Sequence, residues 1–368
     1  MNLNNIYTLF GFTIPVWLLL TAAFVCSFLI AYFSIPTIVK ISRHRKLFDI
    51  PNDRTSHNNE VPVLGGLALF AGFTIASTIF SLPGGSSDIR FILGGLIILF
   101  LLGLKDDILM LDPRKKILGQ ITAASIVVIL GNIRITNFHS VLGITSIDYL
   151  PGVLFTIFLF LVLINGFNLI DGVDGLSSGV GIIACLAYGL WFLLTDHYND
   201  AILCASLAGS LIAYIRYNVW GGRNKIFMGD TGAMIIGLIM AVLTTRFLEL
   251  EESAGPAFRF ISAPAIAFGL LFIPLFDTLR VVIIRIINGK SPFKADRLHI
   301  HHLLLRFGIS HLSVSVILIA ASLFILTLIF FIQPVGGLLA MIIALILSSI
   351  VSFIIGLVIK KKESSGNH

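Results

Sequence analysis

Long apolar runs, repeated along the chain and separated by short polar strings, leave it essentially one way to fold. Each run is roughly 16–25 residues, about the length an α-helix needs to cross a ~30 Å hydrocarbon core. Eleven fall near 15–38, 63–81, 90–104, 117–131, 150–165, 176–194, 201–218, 232–247, 263–287, 313–332 and 334–359, the third and fourth being the shortest. In lipid every backbone polar group has to be satisfied internally, so these runs predict an all-α polytopic membrane protein. Of 368 residues, 57% are hydrophobic and 12% charged, which excludes a soluble globular protein of this length. Gln333–Pro334 predicts a tight hinge between the last two helices.

The lysines and arginines set the orientation, because cytoplasmic segments carry the positive excess. With the N-terminus outside and the C-terminus inside, 21 of the 25 fall on the inner side; Arg90, Arg134, Arg246 and Arg259 remain outside. The net charge of +6 is then a property of the cytoplasmic face, suited to anionic lipid headgroups and phosphorylated ligands. Basic and aromatic residues are not interleaved, so nucleic acid is excluded as a partner. No basic segment precedes the first run, so no cleavable signal peptide is expected. Cys26, Cys185 and Cys204 lie in or beside apolar runs and form neither a metal spacing nor a disulfide framework. One transmembrane domain over 1–368 is expected, ending in a polar tail at 360–368. Its site would be built from the inner segments 41–62, 105–116, 165–176, 216–231 and 287–312.

Those inner segments hold the acids that most need explaining. Asp106 and Asp107 stand in GLKDD, Asp171 and Asp174 in NLIDGVDGL, and Asp230 in FMGDTG, each joined to an apolar run. A carboxylate at a bilayer edge is costly, and by default marks a functional site. Adjacent carboxylates resist joint ionisation unless a cation is near. Mg²⁺ commonly takes one or two carboxylates together with substrate phosphates. Asn165, Asn168, Asp171 and Asp174 recur every third residue, which keeps neighbours close on a helical surface. Helix capping is the plain alternative for Asp174 and Asp230, each standing before an apolar run. A helix start at Asp230 would also favour an anion such as diphosphate. His299, His301 and His302 form HxHH near Arg297 and Arg306, a spacing unlike a helical zinc pair and suited to hydrogen-bonding phosphate or sugar oxygens. Asp277 is expected to pair with Arg280. A transporter would place its polar groups near the midplane. Here they gather at one interface, which favours an enzyme of phosphoryl transfer over an ion-coupled carrier.

Taken in order, these strings resemble the polyprenyl-phosphate N-acetylhexosamine-1-phosphate transferase family over nearly the whole chain. The pieces are PN-x-R-x-x-H (51–57), VP-x-x-GG (61–66), the Asp pair with Lys116 and Gln120 following, NGFNLIDGVDGL, FMGDTGA, PLFDTLRV and HIHH. The HIHH form is similar to the branch that uses UDP-N-acetylglucosamine or related amino sugars. The resemblance implies that a polyprenyl phosphate, undecaprenyl phosphate in many bacteria, attacks the β-phosphate of a UDP-N-acetylhexosamine, releasing UMP at the inner face of a bacterial cytoplasmic membrane. It implies Mg²⁺, with Mn²⁺ as a substitute, and is compatible with a homodimer. By the same resemblance Asp230 and Asp107 look like metal ligands, and Asp106, Asp107, Asp171 and Asp174 carry the catalysis. Asn168, Phe227, Lys116, Arg297, His299, His301 and His302 would bind substrate, with Phe227 stacking on uracil. A muramoyl-pentapeptide or another amino sugar remains the alternative donor. One departure stands out: many members carry a third acid where this chain has Met110, and the next acid here is Asp112.

Overall fold

A computed structural model describes residues 6–9, 12–49, 61–82, 89–139, 141–289 and 298–365. Arg297 and the 51–57 string lie outside the described residues. Among those described, two short antiparallel ladders and thirteen α-helices form. The ladders pair β1 (Ile6–Leu9) with β2 (Phe12–Pro15), and β3 (Phe48–Asp49) with β4 (Val61–Pro62). The helices are α1 (Val16–Arg45), α2 (Gly65–Ile79), α3 (Ile89–Leu109), α4 (Pro113–Ser125), α5 (Tyr149–Ile170), α6 (Leu176–Leu194) and α7 (Tyr198–Trp220). They continue as α8 (Gly229–Glu251), α9 (Ala263–Leu270), α10 (Phe272–Ile287), α11 (Ile300–Arg306), α12 (His311–Ile332) and α13 (Gly337–Ser365). Seven of the described helices are long and apolar enough to cross a membrane unaided. The chain is an all-α polytopic membrane protein.

Several boundaries differ from the sequence expectation, each for a local reason. The third run extends to Leu109, so the Asp pair lies on the last turn of a helix and not in a loop. Asp112 then caps α4, its Oδ1 accepting the Arg114 N–H at 2.9 Å with Pro113 at the first helical position. α4 runs into a π-helical turn over Ile126–Leu130. The expected single run at 263–287 is broken at Leu271 into α9 and α10. Asn165 and Asn168 belong to the end of α5, while Asp174 falls in the turn between α5 and α6 and does not extend their helical register.

α8 is the axis of the bundle. From Gly232 to Leu243 its sequence is apolar all round, and a helix of that kind belongs inside. In α8, 83% of the most apolar stretch is buried, against 17% in α13, so α13 lies at the periphery. α2, α3 and α5 pack along α8. At the crossing with α3 the residue is Gly103, where a Cβ would stand 2.4 Å from Thr231 Cα. Only glycine permits that approach, which sets the end of α3 against the start of α8. At the opposite end, Glu249 accepts from the Thr136 backbone N–H and hydroxyl, both at 2.7 Å, holding the segment after α4 to α8.

Candidate active site

The acid strings meet at one end of the bundle. Asp106 Oδ1 accepts the Leu111 N–H at 2.6 Å, and its Oδ2 lies 2.8 Å from Lys116 Nζ. The same ammonium lies 2.7 Å from Asp230 Oδ2, and Asn168 Nδ2 donates to Asp230 Oδ1 at 2.6 Å. Side chains from α3, α4, α5 and α8 are thus tied into one knot. Burial works against the charge on Lys116, but the Asp230 and Asp106 carboxylates outweigh it and hold the ammonium above its usual range. Four residues further along α4, buried Gln120 exchanges hydrogen bonds with Asn165, at 2.8 and 3.3 Å, and so sets the face that Lys116 presents.

Asp171 terminates α5 and accepts from the Ser177 hydroxyl. Burial drives its carboxyl well above the usual range. The Ser177 hydrogen bond opposes the shift, and the charges of Asp230, Asp107 and Asp174 add to it. Asp174 pairs with Lys225 Nζ at 2.5 Å, and that ammonium stands 5.6 Å from the centroid of the Phe227 ring. Asn218 links two of the strings, accepting the Gly175 N–H at 2.7 Å and donating to the Ile226 carbonyl at 3.1 Å. The Ser315 hydroxyl of α12 donates to the Asp174 carbonyl at 2.7 Å. The VP-x-x-GG string pairs with FMGD. Phe227 N–H donates to Pro62 O at 2.8 Å, and the Gly65 and Gly66 N–H groups donate to Phe227 O and Met228 O, each at 2.9 Å.

The capping expectations are revised. Gly175, at φ +79, and not Asp174, precedes α6. Asp230 lies inside the first turn of α8, behind Met228. Asp107 faces the backbone of that turn, so its amides are already engaged and do not await a diphosphate.

The histidine string closes the site from the other side. Asp277 does pair with Arg280, at 3.3 Å, and it also accepts from His299 Nδ1 at 2.9 Å and from the Ile300 N–H at 3.0 Å. Arg280 further donates to the Leu298 carbonyl at 2.8 Å. Asp277 therefore caps α11 and orients His299. His301 is buried, and neither ring nitrogen has a hydrogen-bond partner. Its Nε2 lies against the 171–175 turn, 3.1 Å from where a Cβ on Gly172 would stand. Burial first, then the neighbouring His302, push His301 down to about 3, so it is a neutral imidazole at physiological pH. The two rings lie 4.2 Å apart between centroids.

All the predicted site residues that are described gather here: Asp106, Asp107, Lys116, Asn168, Asp171, Asp174, Phe227, Asp230, His299, His301 and His302. Sequence reasoning missed Ser177, Asn218, Thr231 and the hold of Asp277 on His299. Polar residues inside apolar runs were the available signal for Ser177 and Asn218. Among the described residues, no three His, Cys, Asp or Glu side chains converge as a ready-made metal cage. The pair Asp106 and Asp230, bridged by a lysine ammonium, instead fits a hard cation that takes its remaining ligands from phosphate and water.

The model of glycosyl transferase family 4 matches residues 89–248, which span the Asp pair, the NGFN string and Asp230. The decaprenyl-phosphate N-acetylglucosaminephosphotransferase of Mycobacterium tuberculosis is 32% identical over 311 residues, covering 79% of this chain and 76% of that protein. The enzyme of the same name from Mycobacterium leprae is 32% identical over 77% of this chain and 76% of its own length. The undecaprenyl-phosphate alpha-N-acetylglucosaminyl 1-phosphate transferase of Escherichia coli O157:H7 is 30% identical over 73% of this chain and 72% of that protein. Relatedness on this scale, running through the knot of acids around Lys116, makes the chain a member of glycosyl transferase family 4.

Proposed function

We propose that this protein transfers N-acetylglucosamine-1-phosphate from UDP-N-acetylglucosamine to a polyprenyl phosphate, releasing UMP, at the cytoplasmic face of a bacterial inner membrane. The observation that carries the proposal is Lys116 held between Asp106 and Asp230 at the membrane-edge end of α3 and α8. The names of the bacterial relatives supply the N-acetylglucosamine phosphate group and the polyprenyl phosphate acceptor. In topology, α1 to α8, the broken pair α9–α10, α12 and α13 make eleven crossings, with the N-terminus outside and the C-terminus inside. The orientation rests on the lysine and arginine bias.

A phosphate oxygen of the lipid acceptor forms a bond to the β-phosphorus of the donor, and the bond between that phosphorus and the oxygen bridging to UMP breaks. The second pKa of a phosphate monoester is about 6, so the acceptor is largely dianionic and needs little help from a base. Such transfers depend on positioning and charge neutralisation more than on covalent help. Lys116 neutralises phosphate charge. Asn168 fixes Asp230. The neutral, unpartnered His301 is available to hydrogen-bond a phosphate or sugar oxygen, and Phe227 offers a ring for the uracil. Mg²⁺ or Mn²⁺ held by Asp230 and Asp106 would supply charge stabilisation to the diphosphate and the leaving UMP.

Purified protein supplied with polyprenyl phosphate, Mg²⁺ and a panel of UDP-sugars tests the assignment. UMP release is expected to be greatest with UDP-N-acetylglucosamine. Substrate flux in proteoliposomes without UMP release would instead identify a carrier. Cysteines placed at Asn224 and Ser253, in a background without the native three, are expected to label from the cytoplasm and from outside respectively; the reverse pattern would overturn the orientation.

A further inference from the structure

The two neighbouring acids of α3 point to different tasks. A helix start leaves its first backbone N–H groups without intrahelical partners, and a nearby carboxylate stabilises it. At the start of α8 the N-cap residue is Met228, which supplies no side-chain cap bond. The cap comes instead from α3. Asp107 Oδ1 accepts the Asp230 N–H at 2.7 Å, and Oδ2 accepts the Thr231 N–H at 3.2 Å and the Thr231 hydroxyl at 2.6 Å. Gly229, at φ +71, makes this possible: a Cβ there would lie 2.7 Å from Asp107 Oδ2. Gly103, one turn earlier on α3, admits the start of α8 as described above.

From this geometry we infer that Asp107 is a positioning residue and not a cation ligand: its carboxylate is the N-cap of α8, supplied from a separate helix, and it sets the direction in which Asp230 points. Both oxygens of Asp107 are engaged by the first turn of α8. Those of Asp106 face Lys116 and the Leu111 amide. A cation on Asp107 would compete with backbone donors fixed in the first turn of α8, whereas on Asp106 and Asp230 it has only to displace the flexible Lys116 ammonium. Asp230 is the residue between those amides, so losing the cap moves it. The catalytic consequence rests on the phosphotransferase reading; the capping itself does not.

The test separates the two. In EDTA, Asp107→Asn keeps the shape but turns an amide NH₂ toward N–H donors, so its melting temperature is expected to fall. A cation-ligand role predicts the reverse, because removing one of several crowded acids relieves repulsion in the metal-free protein. Hydrogen exchange with residue-level fragmentation should show the Asp230 and Thr231 amides of the unaltered protein protected although they open a helix. That protection should fall at least tenfold in Asp107→Asn. Thr231→Val removes only the hydroxyl arm and is expected to raise half-saturating Mg²⁺ for UMP release severalfold, with Thr231→Ser near normal. A melting temperature in EDTA that is unchanged or raised in Asp107→Asn, or unprotected amides in the unaltered protein, would overturn the proposal. Should Asp107→Asn fail to fold, the exchange of the unaltered protein and the Thr231 pair still decide. Absence of UMP release from every form would sink the proposed function while leaving the exchange result standing.

Discussion

Lys116→Met isolates the charge that joins Asp106 to Asp230. The ammonium contacts both carboxylates, at 2.8 and 2.7 Å, with side-chain exposures of 19% for the lysine, 9% for Asp106 and 30% for Asp230. Breaking a fully buried pair by removing one partner costs about 3–5 kcal/mol. Water reaches Asp230 here, so the expected loss is smaller, about 1–3 kcal/mol for the metal-free protein. The same substitution frees two carboxylates for a cation. Removing a competing unit charge about 4 Å away at an effective dielectric near 20 is worth up to ~4 kcal/mol. Screening reduces that to about 1.4 kcal/mol, or roughly tenfold tighter Mg²⁺ binding. Thermal unfolding in detergent, with EDTA and with graded MgCl₂, reads both effects. Lys116→Met should melt earlier in EDTA, recover with Mg²⁺ at a lower concentration than the unaltered protein, and still turn over poorly because phosphate charge is no longer neutralised. Equal melting in EDTA, or an unchanged Mg²⁺ midpoint, would refute the competition between lysine and cation.

Other outcomes follow from the same geometry. Asp230→Asn should insert and fold yet lose about 100-fold or more in UMP release; near-normal Mg²⁺-dependent release would remove it from the metal role. Asp171 has its folded pKa raised above the unfolded value near ~3.9, so its contribution to stability is full below that pH and is lost as pH rises toward the folded value. Asp171→Asn should therefore flatten the fall in metal-free melting temperature between acid and alkaline buffer, and an unchanged slope would contradict the assignment. His301→Ala and His302→Ala should lose activity with every UDP-sugar, and Arg297→Ala should change the ranking among donors. Full activity in both histidine variants, or an equal loss across donors for Arg297→Ala, would remove the respective role.

What the sequence determined by itself was the medium, most of the helices and the acid strings that the fold gathers at one end of the bundle. Hydropathy is a local property, and a run such as 150–165 or 232–247 has to be helical in lipid whatever it packs against. The acid strings were legible for the same reason: a carboxylate at a bilayer edge is conspicuous without a structure. The tertiary structure decided which carboxylate meets which partner. Asp106 and Asp107 are adjacent in sequence and equivalent in composition, yet the 100° step between successive residues of α3 turns one toward Lys116 and the other toward the first turn of α8. Asp277 likewise reads as a local partner of Arg280, but it also caps α11 and aligns His299 across 22 residues. Capping by a carboxylate from another helix leaves no local signature, because the cap and the amides it satisfies are brought together only by packing. Gly103 against Thr231 and Gly229 beside Asp107 are the contacts that permit it. The break at Leu271 was hidden for the opposite reason: residues on both sides are equally apolar, and neither glycine nor proline occupies the break itself.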